Sequence, residues 1–263
     1  MTCKPMHEFS ADALQVAVFA TPEHMGKAAA ANTAAIVNDA LARNGVARVI
    51  FATGNSQFPF VKALNRDTEV DWSKVTAFHM DEYAGMSAAH PASFQKWIRE
   101  RVEETLRPAA VHYLRGDVPD LEAECGRYEA LLRAAPIDLI CMGIGENGHI
   151  AFNDPPVANF NDPLWVKVVE LDHACRKQQV GEGHFAGLGD VPTHALTLTI
   201  PALIAPAAIQ VVAPDARKAD AVRNTLQGPV SEACPASILR TQSGARLFLD
   251  QASIALVDSP AFA

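Results

Sequence analysis

Three short segments carry residues that could move protons or hold an anion. The first is Phe78-His79-Met80-Asp81-Glu82-Tyr83, a pair of adjacent carboxylates at the end of an apolar run. A carboxylate placed there can be partly desolvated and tuned as a base. Adjacent side chains of an extended segment point to opposite faces, so only one of Asp81 and Glu82 faces a given substrate. The second is Gly143-Ile144-Gly145-Glu146-Asn147-Gly148-His149-Ile150-Ala151-Phe152-Asn153-Asp154. Its glycines, Gly143, Gly145 and Gly148, permit close backbone approach. His149 can exchange a proton near neutral pH, and Asp154 is near enough in sequence to orient it. The third is Thr53-Gly54-Asn55-Ser56, a turn entering a helix, whose exposed N–H groups can bind phosphate without net positive charge. It lacks the lysine of a P-loop and the spacing of G-x-G-x-x-G, which counts against ATP and NAD. His149, Glu82 and Asp154 could in principle hold a metal, but no compact ligand spacing supports one.

All three segments follow apolar runs that read as strands. Ala47 to Ala52 precedes the Thr53 turn, Val75 to His79 precedes the carboxylates, and Ile137 to Met142 precedes the glycine segment. Between them lie helical stretches: Pro22 to Arg43, with Thr21 as N-cap and Gly45 just beyond its end, then Phe58 to Leu64, Ala92 to Leu106 and Leu121 to Ala134. Further strands are expected over Ala195 to Ile200, Ile209 to Ala213 and Arg246 to Leu249, with a helix over Ala216 to Leu226. Such alternation predicts a three-layer α/β/α, Rossmann-like domain with a mostly parallel sheet. In such sheets ligands bind beyond the carboxyl ends of the strands, where the three segments fall.

Composition agrees with a single α/β domain spanning residues 1–263: 49% of the 263 residues are hydrophobic and 20% charged. With 22 Lys+Arg against 30 Asp+Glu, the net charge of -8 offers no basic footprint for nucleic acid. Five scattered cysteines without a C-x-x-C pair read as reduced thiols, and neither a signal peptide nor a membrane span is evident, so a cytoplasmic protein is expected. Residues 155–192 are dense in Pro, Asn, Asp and Gly and read as a lid or excursion over the active-site edge, with a short strand and helix between its loops.

At these segments the chain resembles the glucosamine-6-phosphate deaminase (isomerase) family, within the wider 6-phosphogluconolactonase-like group. The resemblance rests on Met80-Asp-Glu-Tyr83 followed by Gly85 and His90-Pro91, and on Gly143-Ile-Gly-Glu-Asn-Gly-His-Ile-Ala-Phe-Asn153. Ala195-Leu-Thr197 and Arg217-Lys218-Ala219 add to it. What it implies is conversion of glucosamine 6-phosphate and water to fructose 6-phosphate and ammonia, without cofactor or catalytic metal. It further implies Asp81 as the base that carries a proton between C2 and C1, and His149 as the group that opens the sugar ring. Asp154 and Asn147 would support His149, while Gly54, Asn55, Ser56, Glu82, Gly148 and Lys218 would bind the substrate. Many members carry Asp at the position of Asn147 and Glu at that of Asp154. Because Asp is one methylene shorter than Glu, its contact to His149 is expected to need a backbone adjustment or a water. The family's lid arginine has no clear counterpart, with Arg176 and Lys177 as candidate cations and His184 as a weaker one. An arginine of the allosteric site of some members is not evident either, so activation by an N-acetylated sugar phosphate is not expected.

Two other readings compete. Hydrolysis of 6-phosphogluconolactone, or isomerisation of a related amino-sugar phosphate, would use the same architecture, although a lactonase needs no C2 base at Asp81. A non-catalytic sugar-phosphate sensor would keep the pocket and regulate a partner. The sequence leaves open a homo-oligomer and the choice between glucosamine and galactosamine 6-phosphate.

Overall fold

Along β3 (Ala47–Phe51) successive side chains serve opposite sides of a sheet: Val49 and Phe51 join one apolar cluster, while Ile50 joins another. Burial on both faces is what a central parallel strand requires, and it explains the unbroken apolar runs of the sequence. The computed structural model describes residues 4–67, 69–181 and 183–258. Cys3 and Glu182 lie outside the described residues, and the other four cysteines are free thiols.

In chain order the first elements are β1 (His7–Ala11), β2 (Leu14–Phe19), α1 (Pro22–Asn44), β3, α2 (Phe58–Asp67), β4 (Val75–His79) and β5 (Asp81–Tyr83). Next come α3 (Phe94–Ile98), α4 (Glu104–Leu106), β6 (Ala110–His112), α5 (Leu121–Arg133) and β7 (Leu139–Met142). The chain continues through β8 (Val166–Glu170), α6 (His173–Gly181), β9 (His194–Leu198), α7 (Ile200–Ile204), β10 (Ala208–Ala213), α8 (Ala219–Gln227) and β11 (Ala245–Asp250).

Eight strands form the main sheet in the order β1-β2-β11-β10-β7-β3-β4-β6, with only the β1–β2 pair antiparallel. Helices α1 and α2, with the α3–α4 region, bury one face through residues such as Met25, Phe60 and Trp97. The other face packs on α5 and α8 through Tyr128 and Val222. From β3 the chain steps outward to β4 and β6, then returns to β7 on the opposite side of β3. That reversal creates a switch point between β3 and β7, where a crevice opens at the carboxyl ends.

Local chemistry sets several boundaries. Thr21, in extended conformation, accepts a hydrogen bond from the His24 N–H at 3.2 Å and starts α1, and Gly45 at φ 75° ends it. The helix expected over Ala92 to Leu106 is instead interrupted, because residues Arg99–Glu103 form a π turn between α3 and α4. The hairpin β1–β2, the three-residue β6 and α7 were not legible from periodicity, being short or half-exposed.

A second, antiparallel sheet, β5-β9-β8, supplements the mostly parallel one. The carboxylate pair therefore does not sit on a loop beyond β4 but on a strand of its own. The chain changes sheets at Met80, whose carbonyl accepts a hydrogen bond from the Leu198 N–H at 2.8 Å. Residues 155–192 supply β8 and α6. They are anchored by a third apolar cluster in which Phe185, Cys175 and Leu171 pack with Tyr83 and Phe152.

Candidate active site

The carboxyl ends of β3, β4, β7 and β10 open into one cleft, which Gly54, Asp81, Gly145, His149, Arg217 and Lys218 line together. Residues more than 160 positions apart in sequence thus meet at the switch point. From the excursion, Gln178, Gln179 and His184 close one side.

Asp81 faces this cleft and is 7% exposed. Burial, and then the charge of Glu82, raise its pKa well above the usual carboxylate value, so the ionised form is a stronger base than an exposed aspartate. Glu82 is turned the other way and fully buried. Its carboxylate accepts from the N–H groups of Tyr83, Phe94 and Gln95 and from the Ser93 hydroxyl, at 2.8–3.2 Å. Ser93 is the N-cap of α3, so Glu82 braces the start of that helix rather than lining the cleft. This corrects the expectation that Glu82 binds substrate, and its cause is the strand alternation that allowed only one carboxylate to face the site.

His149 and Asp154 are in direct contact, Nδ1 to Oδ1 at 2.8 Å. The shorter aspartate reaches without an intervening water because the chain between them bends, with Ala151 at φ 49° and Asn153 pinned by hydrogen bonds to the carbonyls of Ile150 and Leu198. Burial pushes the Asp154 pKa up, but the hydrogen bond and charge of His149, with Asn147 and Cys175, outweigh it and hold it below the usual range. An ionised Asp154 can only accept, so Nδ1 carries the imidazole proton and Nε2 is left to accept one. Asn147 acts at one remove from the ring. Its Nδ2 donates to Asp154 Oδ1 at 2.8 Å and its Oδ1 accepts from the His149 main-chain N–H at 3.1 Å.

The three glycines differ in purpose. A Cβ on Gly145 would lie 2.3 Å from the His149 ring, so the imidazole rests directly on that backbone. One on Gly143 would press on Gln57 and Ser56 at 3.0–3.1 Å. Gly148, at φ 85°, faces Cys234 and is not among the residues lining the cleft, so its placement is one of packing rather than of substrate contact.

The Thr53–Ser56 turn lines the cleft, with Gly54 at φ 94° leading into a single helical turn before α2. Lys218, 6% exposed, lines the same cleft, as does Arg217, which is paired with Asp215. Asp215 itself adopts φ 78°, a strained value, and its N–H is held by the buried Asp250 carboxylate at 3.1 Å. Arg176 is not brought to the cleft. Its Nη2 donates to the carbonyls of Leu188 and Val191 at 2.7 and 3.0 Å, which fastens the excursion to itself. Sequence reasoning placed Arg217 only by motif similarity and passed over Gln178 and Gln179, which no spacing rule singles out.

Among the described residues one group, His149, Asp154 and Cys175, could offer a metal three donor atoms within 4.8 Å of one another. His149 and Asp154 are already hydrogen-bonded to each other, and burial raises the Cys175 pKa, which keeps the thiol protonated. The group therefore suits proton transfer better than metal ligation. Glu82, the other carboxylate considered from the sequence as a metal ligand, points elsewhere.

Residues 20–248 match the family described as glucosamine-6-phosphate isomerases/6-phosphogluconolactonase. The glucosamine-6-phosphate deaminases of Bacillus thuringiensis (strain Al Hakam) and Bacillus anthracis (strain A0248) are each 38% identical to this chain over 205 residues, 78% of this chain and 76% of theirs. A solved monomeric glucosamine-6-phosphate deaminase is similar with a TM-score of 0.84 at 30% identity, covering 92% of this chain and 99% of its own. A 6-phosphogluconolactonase from Shewanella baltica OS155 shares the fold, with a TM-score of 0.73 at 18% identity over 89% of this chain and 96% of its own.

Proposed function

Since this chain belongs to the glucosamine-6-phosphate isomerase/6-phosphogluconolactonase family, we propose that it is a glucosamine-6-phosphate deaminase, converting glucosamine 6-phosphate and water to fructose 6-phosphate and ammonia. The observation that carries this reading is the buried Asp81, a carboxylate of raised pKa facing the same cleft as a His–Asp pair.

The steps follow from the sugar's chemistry. In the closed pyranose the C2 proton is not acidic, and it becomes so once C1 is an aldehyde. His149 Nε2 accepts the O1 hydroxyl proton and returns it to O5, which opens the ring, while Asp154 stabilises the imidazolium formed in between. Asp81 then takes the proton from C2 while O1 gains one from solvent, giving an enolamine, and delivers its proton to C1 as the nitrogen, now an iminium, returns one to solvent. The product is an imine at C2, to which water adds and from which ammonia leaves. One carboxylate on one face can serve both carbons because they are adjacent.

Phosphate binding is assigned to the N–H groups and hydroxyls of Thr53 to Ser56 and to Lys218, with Arg217 and His184 lining the same cleft. Anchored there, the remote phosphate orients the reacting carbons. One chain supplies every group named, so the activity does not require an oligomer, and the solved deaminase relative is monomeric. No described helix is long and apolar enough to cross a membrane. Reduced cysteines accord with a cytoplasmic setting.

Purified protein is expected to release ammonia from glucosamine 6-phosphate and to exchange the C2 proton with solvent, and Asp81→Asn is expected to abolish that exchange while the sugar still binds. Hydrolysis of 6-phosphogluconolactone without ammonia release would favour the lactonase reading. Binding without either reaction would favour a sensor.

A further inference from the structure

The cleft residues do not by themselves explain what holds Asp81 in place. Its strand β5 lies at an edge of the small sheet, paired only with β9. On that side Met80 accepts from Leu198 and Ala84 donates to His194. In an antiparallel ladder the bonding groups alternate, so the Asp81 carbonyl points away from β9, where no strand meets it.

The group that does meet it is the imidazole of His79. His79 Nδ1 lies 2.9 Å from the Asp81 carbonyl oxygen, and His79 Nε2 lies 2.9 Å from the Leu114 N–H. A carbonyl can only accept and an N–H can only donate, so both contacts require the same neutral tautomer, protonated at Nδ1. Burial lowers the His79 pKa to about 4, which keeps that tautomer uncharged. The ring is wholly enclosed, with Tyr113 and Tyr128 meeting it edge-on at 5.9 and 6.2 Å between centroids. Tyr128 also fixes the main chain of His79, accepting from its N–H at 2.9 Å and donating to its carbonyl at 2.8 Å.

On the reading that Asp81 carries the C2 proton, we propose that His79 is a positioning residue for that base: its Nδ1–H ties the Asp81 carbonyl to the last residue of β4, in the main sheet. The chain crosses from one sheet to the other between these two residues, so the tie spans the joint on which the base is mounted. An apolar residue of similar size would fill the space and leave both the Asp81 carbonyl and the Leu114 N–H unpaired.

Two variants separate the two bonds. In His79→Asn the amide nitrogen can take the place of Nδ1, keeping the bond to Asp81 and losing the one to Leu114. In His79→Gln the longer side chain reaches the Nε2 position and does the reverse. C2 proton exchange and kcat are expected to stay within about threefold of the unaltered enzyme in His79→Asn and to fall by about 10²-fold in His79→Gln, with KM little changed. Equal losses in the two, or no loss in His79→Gln, would overturn the assignment. Long-range ¹H–¹⁵N spectra of the unaltered protein test the bond without any variant, and whether or not glucosamine 6-phosphate is turned over. A single Nδ1–H tautomer of His79 is expected from pH 5 to 9, and an Nε2–H tautomer or a titration within that range contradicts the proposal.

Discussion

At Asp81 burial strengthens the base and opposes its ionisation at once, and the pH dependence of turnover exposes the balance. On the proposed mechanism Asp81 must be ionised to take the C2 proton, so kcat/KM is expected to fall as the pH drops through its raised pKa. The acid limb of the profile is therefore expected above the ordinary aspartate value of 3.8. Glu82→Gln removes the neighbouring charge and should move that limb to lower pH. A limb at or below 3.8, or one unmoved by the substitution, would contradict the environment described. For stability the sign is opposite to that of a salt-bridged carboxylate: the native state holds the Asp81 proton more tightly than the unfolded chain. This contribution is thus lost as the pH rises through the raised pKa. That Asp81 and His149 line one cleft and that Asp154 bonds His149 was legible, because such side chains stood just after predicted strands. The turning away of Glu82 and Arg176 is set by partners elsewhere in the chain: Ser93 and Gln95 for the one, Leu188 and Val191 for the other.

The loop between β7 and Asp154 is the element on which the proposed ring-opening step depends. Its geometry is over-determined by the Gly145 N–H to His149 carbonyl bond at 2.9 Å, the Asn153 bonds, and the contact of the imidazole with bare backbone at Gly145. Gly145→Ala would put a methyl group in the space of the ring, and His149 could not keep both its position and its bond to Asp154. Turnover of the closed sugar is expected to fall by roughly 10²-fold, with a smaller loss on an open-chain analogue. Equal loss on both substrates, followed by ammonia release, would place His149 outside ring opening. The ends of α1 were readable because Thr21, Pro22 and Gly45 satisfy local rules. The π turn within Arg99–Glu103 and the strand character of Asp81–Tyr83 were not, since each answers to packing by distant segments.

For the molecule as a whole, a buried carboxylate paired with two partly exposed arginines contributes to acid stability. Glu124 on α5 is 3% exposed and bonds Arg115 and Arg127 at 2.6–3.3 Å. Burial raises its pKa, but the two arginines more than offset this and hold it at about 2, against an ordinary 4.5. A depressed pKa stabilises the fold above pH 4.5, and the benefit is lost as the pH falls toward 2. Glu124→Gln is expected to cost about 1–3 kcal/mol at pH 7 and less at pH 3, as measured by urea unfolding at the two values. An equal cost at both would show that the charge is not what matters.

From its residues alone the chain determined an α/β alternation, strand ends furnished with a glycine turn and with side chains able to exchange protons, and the alternation rule that allowed one of two adjacent carboxylates into the site. These are local properties, set by side-chain chemistry and short-range periodicity. Tertiary structure decided which carboxylate it was, that Arg217 and not Arg176 reaches the cleft, and that the strand bearing Asp81 belongs to a second sheet tied back through His79. Each of those outcomes depends on which buried donors and acceptors find partners across long separations in sequence, and that pairing exists only once the sheets have packed.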